Sequence, residues 1–241
     1  MWSSVARNAL VLSLLATIAG CAGSTDESTG SDNAAVIDGM QNGAPTNLPE
    51  SVLIAVGTKD FCTGVLIAPK LVLTATHCSG NSYSVTAPYA PTPTTSKATI
   101  AGVVAHSNDF NSEVEKEDVM VLKLATAINL TSYPSIRDTG ELGAKKTYGV
   151  GVGRDRESRN ANLVKSQVLT VTSGTDDGYT TGLESQYYSS GGDSGGPLFL
   201  SDARGNIVTP HVVIGIERQP DPPGEHFTRI TSKVTALVAA Q

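Results

Sequence analysis

What most limits the folds open to this chain is its rhythm of short β-prone runs. They lie at 52–56, 65–67, 71–74, 83–86, 99–105, 119–124, 146–150, 163–171, 197–200, 211–216 and 227–230, with Gly, Pro, Asn or Asp between them. Runs of that length bounded by turn residues suit strands, and nothing between them carries the helical spacing that βαβ units need. The expectation is an all-β sandwich or barrel. A content of 24 Gly and 12 Pro with 39% hydrophobic residues favours a turn-rich globular chain over a helical bundle. The one helical pattern comes last, where Thr231 or Ser232 would cap 233–240 and Val234, Leu237 and Val238 share a face. Pro88-Tyr89-Ala90-Pro91-Thr92-Pro93 reads as a rigid extended loop. The net charge of −6 is dispersed, with no basic stripe, which argues against a nucleic-acid partner.

The first segment stands apart from this pattern. Arg7 precedes an apolar run at 9–19 that is too short to span a bilayer, which is the layout of a signal peptide. The run ends in Ile18-Ala19-Gly20-Cys21, which resembles the bacterial lipoprotein cleavage box. That resemblance implies an acylated Cys21 at the mature N-terminus and a lipid anchor to a membrane. An ordinary secreted protein with an incidental Cys21 is the other reading. Residues 22–33 (AGSTDESTGSDN) are small, polar and acidic, and cannot bury enough apolar surface to offset their ordering entropy. They read as a flexible tether. The expected organisation is a signal peptide over 1–20, lipidated Cys21 and tether over 21–35, and a folded domain over 36–241. Such a protein is exported, either anchored at a periplasmic or cell surface or secreted after processing.

Three cysteines are an odd number for an exported chain. With Cys21 assigned to lipid, Cys62 and Cys78 remain, and in an oxidising compartment they are expected to pair. The bridge would close a loop of about 15 residues, worth about 3 kcal/mol in the chain-entropy account. Two buried free thiols are the alternative.

Chemistry concentrates at Gly191-Gly192-Asp193-Ser194-Gly195-Gly196-Pro197-Leu198. Glycines leave the backbone bare around one serine, which suits a tight turn that exposes a hydroxyl. A Ser hydroxyl is a poor nucleophile without a base in hydrogen-bond reach that is itself oriented by a third group. The question is whether the chain supplies such a His and such an acid.

Phe61-Cys62-Thr63-Gly64-Val65-Leu66-Ile67-Ala68-Pro69, followed by Leu71-Val72-Leu73-Thr74-Ala75-Thr76-His77-Cys78, resembles the trypsin-like (chymotrypsin-fold) serine peptidases. Glu117-Asp118-Val119-Met120-Val121-Leu122-Lys123-Leu124 is similar to the family's Asp segment, and Gly192-Asp193-Ser194-Gly195-Gly196-Pro197 to its nucleophile loop. The resemblance covers about residues 36 to 241, with weaker echoes at Tyr148-Gly149-Val150-Gly151 and Pro223-Gly224-Glu225-His226-Phe227-Thr228-Arg229-Ile230. It implies two six-stranded antiparallel (Greek-key) β-barrels over about 36–140 and 141–230, with a short C-terminal helix over about 231–240. It also implies His77 as general base, Asp118 as its orienting acid, Ser194 as nucleophile, and the N–H groups of Gly192 and Ser194 as oxyanion hole. Protein or peptide substrates are implied, and no cofactor.

Other readings compete for the same residues. A lone His beside a Cys, or an acid ending the run Glu113, Glu115, Glu117, Asp118, is more often structural than catalytic. Gly192-Asp193-Ser194-Gly195-Gly196 also satisfies the α/β-hydrolase G-x-S-x-G pattern, with Asp202, His211, Asp221 and His226 downstream of the serine. That fold needs βα units, which the remaining chain lacks, so the order His77, Asp118, Ser194 favours the trypsin-like reading. A non-catalytic homologue used as a binding module is the rival of another class, and the complete triad counts against it. His106, His211 and His226 have no metal-ligand spacing and read as structural, so no metal site is expected.

Two departures from the family pattern bear on regulation and specificity. Val36-Ile37-Asp38-Gly39 matches the family's activated N-terminus, whose new amine pairs with an acid at the position of Asp193. No Lys or Arg lies between Arg7 and Lys59, so the activating protease would have to accept small residues and cut after Ala35. In the expected specificity pocket, Tyr188 stands where trypsin-type members carry an acid, and Ser190 replaces the Cys of the pocket disulfide. The opposite wall is expected from the segment with Gly215 and Glu217, and from Gly224. The expectation is a preference for small or apolar side chains, with Glu217 the one group that would favour a basic one.

Overall fold

The apolar runs of the first half close on themselves. The computed structural model describes residues 44–58, 60–104, 118–138, 147–154, 162–173, 178–181, 191–221 and 224–241. After β1 (Ala44–Pro45) come β2 (Ser51–Val56), β3 (Asp60–Ala68), β4 (Leu71–Thr74), β5 (Tyr83–Ala87), β6 (Thr94–Val104) and β7 (Val119–Leu124). β2 to β7 form a closed barrel in the order β2-β3-β4-β7-β6-β5, antiparallel throughout. β2 and β7 are buried along almost their whole length, because one face fills the barrel and the other is covered.

The second half repeats the plan. It comprises β8 (Ser135–Ile136), β9 (Thr147–Arg154), β10 (Leu163–Lys165), β11 (Leu169–Ser173), β12 (Gly178–Thr181), β13 (Pro197–Ser201), β14 (Val212–Asp221) and β15 (Gly224–Arg229), then α1 (Ser232–Ala239). β9 pairs with β11 on one edge and β13 on the other, so the path β9-β11-β12-β15-β14-β13 returns to its start. Counted from its own first strand, each ring has the order first, second, third, sixth, fifth, fourth. The mostly-β fold of two antiparallel rings and a short C-terminal helix is the one expected.

Short pieces tie the halves together. β1 and β8 precede β9 in the chain but pair with β10 and β14 of the second sheet. α1 follows the second ring yet packs on β6, where a Cβ at Gly102 would lie 2.6 Å from Leu237 Cδ1. One apolar cluster runs from Ile54, Leu66, Leu73 and Met120 of the first ring to Val152, Phe199, Val213 and Ile216 of the second. A separate cluster of Leu169, Val171, Leu198, Ile214 and Phe227 fills the second ring. Neighbours Leu198 and Phe199 fall in different clusters because successive strand residues face opposite ways. Each such side chain, fully buried, contributes about 1.5–3 kcal/mol.

Several element bounds differ from those read in the sequence. The run 163–171 is two strands: Ser166 Oγ accepts the Gly151 N–H at 2.9 Å and the Ser166 N–H donates to Gly151 O at 2.9 Å, breaking the ladder there. β6 begins at Thr94, earlier than 99, because Ser96 and Ala98 face inward among exposed polar neighbours. Thr231 stands at the N-cap of α1, but its hydroxyl makes no capping bond. The proline-rich loop does more than extend, since Tyr89 Oη accepts the Leu163 N–H at 3.1 Å and so reaches the second half.

Candidate active site

β4 ends at Thr74, and the chain turns through a short 3₁₀ segment, Thr76–Cys78, closed by Cys78 N–H to Ala75 O at 3.2 Å and Ser79 N–H to Thr76 O at 2.9 Å. This turn presents His77 half-buried at the rim of the first barrel. Asp118 arrives at the start of β7, which pairs with β4, and is 6% exposed. Its carboxylate takes two bonds from one residue: the His77 backbone N–H donates to Oδ1 at 2.9 Å and Nδ1 meets Oδ2 at 2.5 Å. A carboxylate accepts, so Nδ1 carries the proton and Nε2 keeps its lone pair. The two bonds fix both the ring's tautomer and the backbone that bears it.

Ser194 comes from the second barrel, on the turn before β13. Thr63 N–H donates to Ser194 O at 2.8 Å, and Cys78 Sγ lies 3.7 Å from the same oxygen. Cys62 and Cys78 form a disulfide with Cα atoms 6.3 Å apart. The glycine-rich loop that carries Ser194 therefore meets the His77 turn at that bridge, and the free-thiol alternative is excluded. At Gly195, with φ +82°, a Cβ would lie 2.0 Å from Thr74 Oγ1 and 2.5 Å from Thr63 O, so only glycine lets the loop seat this closely. Gly192 has φ +108°. Among the described residues, neither the Gly192 N–H nor the Ser194 N–H donates to a protein acceptor.

The remaining loop groups are well used. Gly195 N–H donates to Glu217 O at 2.8 Å, Glu217 N–H to Gly196 O at 2.7 Å, and Gly196 N–H to Asp193 O at 2.8 Å. Asp193 is fully buried, and its Oδ1 accepts the Arg154 N–H at 2.6 Å. The Arg154 guanidinium lies over the Phe61 ring, 4.3 Å from its centroid.

A family model described as Trypsin matches residues 37–237. The chain belongs to the trypsin family. Granzyme C from Mus musculus is 39% identical over 72 residues, a stretch covering 28% of this chain and 29% of that relative, well short of its full length. In fold, the trypsin-family chain is similar to a solved structure, "Structure of Glu endopeptidase in complex with MPD", with TM-score 0.61 and 19% identity, covering 85% of this chain and 97% of that one.

The other residues expected at the site are distributed unevenly. Glu217 is fully buried and hydrogen-bonded through its backbone to Gly195 and Gly196 of the Ser194 loop. Gly215 sits deeper in β14, opposite Leu198 and Arg229, and Gly224 opposes Asp221 at the far end of the β14–β15 hairpin. Cys21, Val36, His106 and Tyr188 lie outside the described residues. Among the described residues, no group of His, Cys, Asp or Glu is clustered as metal ligands would be. One contributor was missed by sequence reasoning. Thr63 hydrogen-bonds the Ser194 loop across 129 residues, and no local motif announces it. His211, read as structural, bonds the buried Glu50 carboxylate through Nδ1.

Proposed function

We propose that this trypsin-family chain is a serine endopeptidase that cleaves proteins or peptides through an acyl-enzyme. The observation that carries the reading is the doubly bonded His77–Asp118 pair beside a Ser194 loop whose Gly192 and Ser194 N–H groups donate to no acceptor among the described residues. His77 Nε2 takes the Ser194 proton as Oγ attacks the scissile carbonyl, and the carbonyl electron pair moves onto its oxygen. The two free N–H groups receive that oxyanion, where one donor is worth about 2.7–4 kcal/mol. The C–N bond then breaks, the leaving amine takes the proton from His77, and water repeats the sequence to release the acid. Asp118 holds the Nδ1–H tautomer and stabilises the imidazolium that forms transiently.

The same proposal covers export and activation. The chain carries a signal over 1–20, a lipidated Cys21, a tether to 35 and a peptidase domain over 36–241. Cutting after Ala35 frees a Val36 amine that pairs with the buried Asp193 and releases the domain from its anchor. The Cys62–Cys78 disulfide agrees with an oxidising, extracytoplasmic compartment. Tyr188, standing in the sequence where trypsin-type members carry an acid, disposes the enzyme toward small or apolar side chains before the cleaved bond.

The test is a library of chromogenic peptides assayed on protein whose N-terminus has been sequenced. Hydrolysis that starts when the sequence begins at Val36, and that is lost in Ser194→Ala, is the expected result. Full hydrolysis with Ala34-Ala35 attached removes the activation step. Arg or Lys substrates cleaved fastest would overturn the stated preference. No hydrolysis by the processed protein would favour a binding module instead.

A further inference from the structure

The loop proposed to hold the oxyanion has little stiffness of its own. Gly191, Gly192, Gly195 and Gly196 leave its torsions weakly constrained. The Gly192 and Ser194 N–H groups belong to the peptides on either side of the Gly192–Asp193 plane, so that plane sets the two Cα atoms from which both donor peptides extend. Its carbonyl does not point to water. Gly192 O accepts the Thr63 hydroxyl at 2.8 Å in a buried setting.

Thr63 belongs to β3 of the other barrel, is fully buried and is itself locked. Its backbone N–H donates to Ser194 O at 2.8 Å, and its carbonyl accepts Thr74 Oγ1 at 2.8 Å. The adjacent Cys62 is bridged to Cys78, the neighbour of His77. One residue of the first barrel therefore grips the loop on both sides of Asp193, by its side chain at Gly192 and by its backbone at Ser194.

We propose that Thr63 is a positioning residue for the oxyanion hole: its hydroxyl holds the Gly192–Asp193 peptide, and with it the two Cα atoms that carry the donor peptides, where both N–H groups meet the reacting carbonyl. This rests on the serine-peptidase reading and adds a dependence of the second barrel's chemistry on a first-barrel hydroxyl. Without that hydroxyl the buried Gly192 carbonyl loses its partner, and shifting the peptide toward another donor becomes the cheaper arrangement, carrying the donor peptides on either side with it. The donors then miss the oxyanion while the cleft that binds the peptide is unchanged.

Thr63→Val removes the hydroxyl and keeps the branched shape, and Thr63→Ser keeps the hydroxyl and drops the methyl. With rates expressed per active site titrated, Thr63→Val should lower kcat by roughly ten- to a hundredfold with KM nearly unchanged, the scale on which a misplaced donor acts. Its affinity for a peptidyl trifluoromethyl ketone, which forms an oxyanion on Ser194, should fall by a similar factor, while affinity for the corresponding product peptide stays. Thr63→Ser should stay within about threefold of the wild type, since the group that acts is retained. Equal losses in Thr63→Val and Thr63→Ser would assign the effect to packing and overturn the proposal. So would wild-type kcat in Thr63→Val, or parallel losses in ketone and product binding. An inactive wild-type enzyme, by contrast, strikes at the serine-peptidase reading itself.

Discussion

Asp118 binds His77 at two points, and the second bond is what a substitution there would change. Asn in its place offers an N–H toward Nδ1, so the ring settles with its proton on Nε2 and cannot accept from Ser194. Asp118→Asn is expected to lower kcat by about 10⁴ with little effect on folding, read from steady-state rates beside a thermal melt. Ser194→Ala and His77→Ala are each expected to cost about 10⁶, and the double variant no more than either alone, because the members act as a unit. These candidates stand out in the sequence because each sits in a local motif: His77 beside Cys78 after an apolar run, Asp118 before another, and Ser194 among glycines. Thr63 was not legible. Its role depends on a loop 129 residues away, and a Thr after a Cys in a strand carries no local signal.

Strands were easy to find and hard to delimit. β2, β4 and β7 are apolar on both faces because the barrel and its neighbour cover them, so they stand out as continuous runs. β6 hid its first half under exposed Thr and Lys, and β1 and β8, with two residues each, are too short to have any periodicity. The β3–β4 region also carries the disulfide, which spans 16 residues. Replacing both Cys62 and Cys78 by Ala should destabilise the protein by about 3 kcal/mol, measured as a lower urea midpoint. At the exposed turn after β13, Asp202 accepts the Asn206 side-chain amide and the Asn206 and Arg204 backbone N–H groups. The Asn206 side chain, then its backbone N–H, holds the Asp202 carboxyl below the usual carboxylate range. A carboxyl with a lowered value adds stability that is present above its unfolded value and lost as pH falls through the lowered one. Carboxyl NMR should show Asp202 titrating below a free Asp, and Asn206→Ala should move it back up.

At the scale of the whole molecule, the two rings are held by polar contacts as well as by their shared core. Tyr89 reaches Leu163, Thr63 grips the nucleophile loop, α1 returns to β6, and Glu50 at the head of β2 pairs with His211 at the head of β14. His211 also meets the Phe199 ring edge-on, with centroids 5.7 Å apart. His211 had read as structural, and its partner Glu50, 2% exposed, is a carboxylate that needs it. Breaking a fully buried pair costs about 3–5 kcal/mol, but water reaches the half-exposed imidazole, so His211→Ala should cost about 1–3 kcal/mol by urea unfolding.

The proposed activity turns on Ser194 as a hydroxyl activated by His77. The direct measurement is reaction of the processed protein with a fluorophosphonate, followed by mass mapping of the labelled peptide. One adduct is expected, on Ser194, formed rapidly in the wild type and lost in His77→Ala. An unlabelled Ser194 in correctly processed protein, or labelling that persists unchanged in His77→Ala, would contradict the proposed activity.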